Sequence, residues 1–441
     1  MPAPTTSEST AASTTTPSTR NAHRRYLSRN GPHRMMALRD RLRSYYDQHP
    51  LFAALAALLV GFHLAYPFIN WWLRSAGIAP PFSFWDFGVY DQAVDAWQTN
   101  DHIYTRNEDG GYHGSYLYPP IVLVLFRPFA ALGRGTGDPL WVACSLLLLW
   151  GGMVLVVERL AGRRSWAERL LLLWLLVGYQ PLLLAMKMGQ TAAFTAGLLC
   201  FAFVGLDRGM ESRPARVASG ALTGVVGVVK FAYAPVGTHL LANRNRFVGA
   251  VAAGLGLVAL SLLLFGVEVH RTYLEVLAWG FNRSGPSRSP ALWLAPYFKP
   301  LGWLASSLWV RLPAVLVVVA AALLARDRDR ETFALGLAVF PLLTTLAYTY
   351  YLVALLPAAA ILIHGEIDRG GRPVVPTLGV GLAAVHAYGL LAVTTVVPVV
   401  APALDHALVY FLAQPGTWGC LLLAGTALAR VVDGIERPLS W

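Results

Sequence analysis

A carboxylate in a run of aromatic residues is the strongest candidate for chemistry in this sequence. Asp86 lies in residues 84–91, which follow the first hydrophobic stretch. A carboxylate held among aromatic side chains is partly desolvated, which raises its pKa and improves it as a general base near neutral pH. The alternative is that Asp86 caps a helix that follows a turn at Gly88. Tyr90 and Asp91 are candidate substrate contacts in the same run, although Asp91 also suits a solvated helix face.

A lysine inside an apolar stretch is the second candidate. Lys230 lies in the middle of residues 217–242, near Pro235. Ionisable side chains at membrane depth are rare and usually face a cavity or a partner, so Lys230 suits an anionic group such as a phosphate. The alternative is a lysine at a helix end that extends its ammonium group to the membrane surface. Arg127, within residues 117–133, leaves the same two interpretations open.

Further polar residues complete the candidate substrate-binding set. Gln190 follows Gly189 at a helix start, where its amide can hydrogen-bond a sugar or cap the helix. Tyr118 precedes two prolines, a position that also suits a membrane-interface belt. Basic residues of a later segment are candidates to clamp a phosphate or are ordinary surface charges: Arg271, Arg283, Arg288 and Lys299. The chain has no helical zinc motif, Cys-x-x-Cys pair or glycine-rich nucleotide loop, so we predict no metal and no cofactor.

The composition shows that membrane-spanning elements must position these residues. Of the 441 residues, 56% are hydrophobic and only 13% are charged, and the mean hydropathy is +0.50. A soluble domain has about 45–50% apolar and about 25% charged residues, so cytosolic enzymes, secreted domains and disordered scaffolds are excluded. The net charge of +11 lies mainly in the N-terminal segment and in short loops, which indicates membrane topology rather than a nucleic-acid partner.

Ten apolar stretches are predicted to cross the lipid bilayer: 51–73, 139–158, 167–185, 189–206, 246–267, 307–325, 331–347, 349–364, 374–398 and 407–430. Charges and prolines interrupt two more, so residues 117–133 are predicted to dip into the membrane and residues 217–242 to form a broken helical pair. We therefore predict an all-α polytopic membrane bundle of about 10–12 segments over residues 50–432. A disordered, basic tail (1–49) precedes it and a short tail (433–441) follows it.

Loop charge orients this bundle. With the spans above, the basic loops and both termini fall on the cytoplasmic side of the plasma membrane. Two long extracytoplasmic loops remain, 74–116 with mainly acidic and 268–306 with mainly basic side chains. Because most of the candidate residues also converge on the outer face, we predict an extracytoplasmic active site.

Six short motifs occur in a fixed order over about residues 50–364: Asp86 with Val89 and Tyr90, Tyr118-Pro119-Pro120, Gly189-Gln190, Lys230, Asn282 with Ser284, and Tyr350-Tyr351-Leu352 with Pro357. In this order they resemble glycosyltransferase family 87, within the GT-C superfamily of integral membrane glycosyltransferases. The resemblance implies a GT-C type bundle and inverting transfer of a sugar, usually mannose, from a polyprenyl-phosphate donor to a lipid or glycan acceptor. It also implies that Asp86 is the catalytic base, and it adds Asn282 and Tyr350 to the candidate substrate contacts.

Two other functions are open to this sequence. A transporter or flippase for a lipid-linked sugar would use the same broken helices and buried cation. The two halves of the sequence show no repeat symmetry, which a transporter is expected to have. A non-catalytic membrane subunit would only present its outer loops to a partner.

Overall fold

The computed structural model describes residues 47–436, except 48, 78, 80, 109, 113, 209–211, 283–296, 299–307, 326, 345–346 and 388–412. The chain divides into a short first unit, residues 1–54, and a second unit, residues 55–441. The predicted N-terminal tail lies almost entirely outside the described residues, and most of the predicted C-terminal tail does too. Everything that forms the site belongs to the second unit.

The described part of the chain is mainly helical. Its α-helices are α1 (Pro50–Ser75), α2 (Trp85–Gln98), α3 (Val122–Ala130), α4 (Arg134–Ala161), α5 (Trp166–Val177), α6 (Gln180–Met188), α7 (Ala192–Arg208), α8 (Arg213–Val229), α9 (Arg244–Asn282), α10 (Leu308–Leu324), α11 (Asp329–Leu343), α12 (Leu355–Asp368), α13 (Val374–Ala384) and α14 (Pro415–Glu436). Two 3₁₀ segments, η1 (Phe231–Ala242) and η2 (Thr349–Ala354), follow α8 and precede α12. Two short strands, β1 (Tyr297–Phe298) and β2 (Ala347–Tyr348), pair antiparallel, with Tyr297 opposite Tyr348.

Five of the described helical segments are long and apolar enough to cross a membrane: α1, α4, most of α9, the continuous segment of η2 with α12, and most of α14. Counting the bent pair of α5 and α6 as one span makes six. Three shorter apolar helices, α7, α10 and α13, coincide with further predicted spans. The predicted polytopic helical membrane fold is therefore confirmed. Parts of the predicted spans 374–398 and 407–430 lie outside the described residues.

The structure refines several predicted elements. The predicted span 167–185 is bent by 72° between α5 and α6, just before Pro181. The predicted break in 217–242 is confirmed, because α8 ends at Val229 and Lys230 has an extended backbone before η1 begins. Helix α9 continues as far as Asn282, so the first part of the stretch predicted as the second outer loop is helical. Its axis breaks at Gly266, whose φ of 73° lies in the left-handed region.

Small residues let the helices behind the site approach closely. A Cβ added at Gly152 of α4 would lie 2.7 Å from the Cβ of Cys200 in α7. A Cβ at Gly336 of α11 would lie 2.8 Å from the carbonyl oxygen of Pro235 in η1. Close backbone contact of this kind stabilises helix association in membranes. It therefore holds η1, and with it Lys230, against a rigid support.

A charged cluster joins the helices at the far end of α7 from Gln190. Arg159 of α4 and Arg330 of α11 each donate a hydrogen bond to the buried carboxylate of Asp207. A buried carboxylate that is paired with two guanidinium groups avoids most of the desolvation penalty. These contacts tie α4, α7 and α11 together on the far side of the bundle from Gln190.

Candidate active site

A cavity of about 670 Å³ lies where α2 and the loop before α3 meet the broken helical segments. Its volume falls within the range of small-molecule sites, about 300–1,000 Å³. Its walls come from α2, the loop before α3, the turn between α6 and α7, η1, the distal part of α9, the ends of α10 and α11, and residues 348–351. Six of the predicted site residues line it: Asp86, Tyr90, Tyr118, Gln190, Lys230 and Tyr350.

The turn before α2 places Asp86 at this cavity. Phe84 adopts a left-handed backbone with φ 46°, and the amides of Ser83 and Phe84 donate to the carbonyl oxygen of Lys187 at 3.1 and 2.8 Å. Helix α2 therefore begins at Trp85, and Gly88 lies inside the helix instead of in a turn before it. Phe84 occupies the N-cap position and no side chain caps the helix. The capping interpretation of Asp86 is thus wrong.

The environment of Asp86 suits a general base. The residue is half-buried, and its Oδ2 atom is buried without a hydrogen-bond partner among the described residues. Burial raises the pKa of Asp86 to about 6, although a hydrogen bond with Gln190 and the positive charge of Lys230 both act to lower it. At neutral pH the group is therefore mostly ionised, yet it is a much stronger base than an exposed aspartate.

Gly189 and Gln190 form the opposite side of the Asp86 environment. Gly189 ends α6 with a φ of 72°, and its carbonyl oxygen accepts a hydrogen bond from Trp141 Nε1 at 2.9 Å. A Cβ at this position would lie 2.7 Å from the Cβ of Phe87 in α2. The tight turn presents Gln190 to the cavity, where its Oε1 accepts a hydrogen bond from Tyr118 at 3.1 Å.

Gly189→Ala is expected to reduce enzyme activity more than its effect on stability explains. The left-handed backbone costs a non-glycine residue about 1–2 kcal/mol, and the new methyl group collides with Phe87 and displaces α2, which carries Asp86. The measurements are specific activity and thermal unfolding of the purified protein. Gly370→Ala is the control, because Gly370 follows the end of α12 with a left-handed φ of +65° and has open space around it. Equal activity losses in the two variants would contradict the prediction.

Tyr118 is the centre of a hydrogen-bond network. Its hydroxyl group accepts a hydrogen bond from Tyr90 Oη at 3.2 Å and lies 3.0 Å from Thr191 Oγ1. Lys230 Nζ also donates to this hydroxyl, at 3.4 Å. The backbone carbonyl oxygen of Tyr118 accepts from Tyr104 at 2.7 Å, which fixes the loop. The network connects the lysine to the Gln190 side chain that contacts Asp86.

Tyrosine rings surround the ammonium group of Lys230. Its Nζ atom lies 4.3 Å from the ring centre of Tyr351, 5.3 Å from that of Tyr350 and 5.4 Å from that of Tyr118. Tyr348 stacks on Tyr350 with ring centres 4.9 Å apart. Cation–π contacts of this kind stabilise a charge where water is scarce. Lys230 therefore faces the cavity, and its charge is directed towards whatever binds there.

Several lining residues were missed by the sequence reasoning. Arg311, in the first turn of α10, lines the cavity, and its Nε atom is buried without a partner among the described residues. A single arginine inside the apolar stretch 307–325 is the signal that could have identified it. Other lining side chains gave no distinct signal in a chain rich in aromatic residues: Trp85, Tyr273, Trp279 and Thr344. Tyr351 also lines the cavity, and it belongs to the Tyr350-Tyr351-Leu352 motif of the sequence.

Three other predicted site residues, Asp91, Arg127 and Arg271, are not part of the cavity lining. Arg127 is exposed and its guanidinium group lies 5.6 Å from the ring centre of Trp97. Asp91 lies near Arg134, and Arg271 is exposed on α9. The side chain of Asn282 and the whole of Arg283, Arg288 and Lys299 are outside the described residues. A role for any of these in substrate binding stays a prediction.

The fold and the cavity together define a polytopic helical membrane protein with a polar site at the ends of its helices. The model of a family described as "Glycosyltransferase family 87" matches residues 116–349, more than half of the chain. The chain belongs to glycosyltransferase family 87, and it is a membrane glycosyltransferase. The resemblance inferred from the motifs is confirmed.

Two solved structures are similar to this chain. One is ArnT from Cupriavidus metallidurans bound to undecaprenyl phosphate, with a TM-score of 0.40 and 16% identity over 78% of this chain and 73% of that one. The other is the same ArnT in the apo state, with a TM-score of 0.39 and 18% identity over the same shares. A search of curated proteins finds no match.

Proposed function

We propose that the enzyme transfers mannose from a polyprenyl-phosphate-linked donor to a hydroxyl group of a lipid or glycan acceptor. The transfer takes place on the extracytoplasmic side and inverts the anomeric centre, with Asp86 as the general base. The observation that carries the proposal is that one cavity holds a carboxylate of raised pKa and a tyrosine-surrounded cation. The excess of basic residues in the loops predicted to be cytoplasmic supports the outer location.

A single displacement accounts for the role of Asp86. The acceptor oxygen forms a bond to the anomeric carbon as the bond from that carbon to the phosphate oxygen breaks, and the hydroxyl proton passes to the carboxylate. The unpartnered Oδ2 atom is the natural proton acceptor. Among the described residues that line the cavity, Asp86 is the one carboxylate, which is what an inverting displacement requires.

Lys230 and Arg311 support a phosphate-containing donor. The phosphate oxygen that leaves the sugar gains negative charge in the transition state, and a preorganised cation stabilises that charge most where water is excluded. Both cations line the cavity. Helix α10 carries Arg311 and packs against η1, the segment that follows Lys230 in the chain. With one carboxylate and two cations, the described lining carries a net positive charge that favours an anionic ligand.

Apolar side chains next to the cations support a lipid-linked donor. Val229, Phe231, Val315 and Leu343 line the cavity where it meets the membrane helices. Phe231 is 60% exposed directly beside Lys230, an arrangement that suits a prenyl chain attached to a phosphate. A nucleotide sugar would leave this apolar surface uncovered.

The pH dependence of the reaction follows from the Asp86 pKa. The base acts only when ionised, so kcat/KM is expected to rise with pH through about 6 and to reach a plateau above neutral pH. The measurement is the rate of sugar transfer between pH 4.5 and 8.5 at subsaturating donor. A rising limb centred near pH 4 would indicate a solvated carboxylate and would contradict the assignment of the base.

The proposed function is tested directly by sugar transfer in membranes that contain the protein. Radiolabelled polyprenyl-phosphate mannose is the donor, and the same membranes receive GDP-mannose, with donor synthesis blocked, as the control. We expect labelled product from the lipid-linked donor alone. Transfer from the nucleotide sugar but not from the lipid-linked sugar would overturn the proposal.

A further inference from the structure

Trp85 stands directly beside the proposed base and is strongly exposed. Its side chain lines the cavity, and yet the residue is 65% exposed. Within the described part of the chain its ring contacts no other aromatic ring or cation. Most of this ring is therefore open at the cavity wall, where a bound molecule can contact it.

The neighbouring aromatic residues behave differently. Between residues 82 and 118, each of the following rings contacts another ring: Phe82, Phe84, Phe87, Tyr90, Trp97, Tyr104, Tyr112, Tyr116 and Tyr118. Trp97 is the other tryptophan of this segment, and its ring centre lies 4.6 Å from that of Phe265. Trp85 is therefore an exception within an otherwise self-packed aromatic cluster.

The turn that orients Asp86 also orients Trp85. Both residues follow Phe84 in the first turn of α2, and the left-handed backbone of Phe84 is held by two hydrogen bonds to the Lys187 carbonyl group. A strained backbone at a non-glycine residue persists only where the surroundings hold it, and it is a pointer to function. The ring and the carboxylate are thus presented to the cavity as one unit.

The cavity has two chemically different sides. The segments from α8 to α11 supply the apolar wall and the cations that suit a prenyl phosphate, whereas Trp85 and Ser115 come from α2 and the loop before α3. The acceptor has to bring a hydroxyl group to Asp86 from the side that the donor does not occupy. Whatever carries that hydroxyl group then lies against the neighbouring indole ring.

We propose that Trp85 is a stacking platform that positions a sugar ring of the acceptor next to Asp86. One face of a pyranose ring presents C–H groups that complement the electron-rich face of an indole, while the hydroxyl groups at its edge remain free to hydrogen-bond. A simple alcohol or a serine hydroxyl would leave the indole uncovered. The inference rests on the proposed function, because it assumes that Asp86 deprotonates the acceptor.

Binding to a catalytically blocked protein tests the inference without a donor. Full-length Asp86→Asn protein is titrated with the hexyl pyranosides of mannose, glucose and galactose, and with hexanol, by calorimetry. We expect at least one glycoside to bind more tightly than hexanol. Trp85→Leu in the same background is expected to weaken glycoside binding by about tenfold, and Trp85→Phe by less, because the phenyl ring keeps a stacking face.

Trp72→Leu is the matched control. Trp72 is 59% exposed at the outer end of α1 and is not part of the cavity lining, so its loss tests general anchoring by a tryptophan at the membrane interface. Leucine keeps the apolar character that such anchoring needs.

In the active enzyme, Trp85→Leu is expected to raise KM for the glycoside about tenfold while KM for the donor stays unchanged. The proposal would be overturned if the Asp86→Asn protein bound glycosides equally well with and without Trp85→Leu. It would also be overturned if hexanol bound as tightly as any glycoside. Failure of the proposed function gives a different result, namely no transfer from the lipid-linked donor by wild-type protein.

Discussion

Asp86→Asn is expected to lower kcat for sugar transfer by about 10²–10⁴-fold, the usual contribution of a general base. Asparagine has nearly the same shape and can keep a hydrogen bond with Gln190, so the geometry of the turn is retained. Asparagine cannot take the proton from the hydroxyl group of the acceptor substrate as the new glycosidic bond forms. KM for the donor is expected to change little, since the phosphate contacts do not involve this side chain.

Asp95→Asn is the matched control for this prediction. Asp95 lies on the same helix, is exposed and does not line the cavity, so its replacement changes charge without touching the site. We expect less than about a twofold effect. The measurement is initial-rate transfer from polyprenyl-phosphate mannose at saturating donor. Full activity of Asp86→Asn would transfer the role of the base to another residue and would also be the result expected of a non-catalytic subunit.

Lys230→Met is expected to lower kcat/KM by about 10²–10³-fold, comparable with the loss of one preorganised donor to a developing anion. Methionine fills a similar volume among the tyrosine rings and removes the charge together with the hydrogen bond to Tyr118. Because a buried charge is expensive to desolvate, the variant is expected to fold as stably as the wild type. The measurements are transfer kinetics and thermal unfolding in the same detergent.

The pH profile separates the effect of Lys230 on the leaving phosphate from its effect on the pKa of Asp86. Its positive charge lowers the Asp86 pKa, so removing it raises that pKa and shifts the rising limb of the profile to higher pH than in the wild type. Lys230→Arg keeps the charge and is expected to keep the limb near pH 6. A Met variant with reduced rate and an unshifted limb would show that the lysine acts on the phosphate but lies too far away to influence the base.

The broken segment 217–242 shows what the hydrophobic pattern of the sequence can predict. An apolar stretch that contains Lys230 and Pro235 cannot be a simple span, because an ammonium group and an interrupted backbone both need partners at membrane depth. The break between Val229 and Phe231 agrees with that reasoning. The two prolines of Tyr118-Pro119-Pro120 likewise lie just before a helix, since α3 begins at Val122.

Position within the helical bundle was harder to predict. Arg127 and Arg311 look equivalent in the sequence, each being a lone arginine in an apolar stretch. In the structure Arg127 is exposed beside Trp97, whereas Arg311 lines the cavity. Which face of a helix is lined by a cavity depends on the elements that pack around it, and that arrangement is not contained in the local pattern.

By itself, the sequence determined the membrane-spanning helical framework, the break at Lys230 and the motif order that marks family 87, because hydrophobicity, charge and proline act locally along the chain. Only the tertiary structure decided that Asp86 is not a helix cap, since that outcome depends on the carbonyl group of Lys187, about a hundred residues away. The raised pKa of Asp86 likewise arises from burial created by packed elements. Desolvation is a property of the surroundings of a group, and distant segments supply those surroundings.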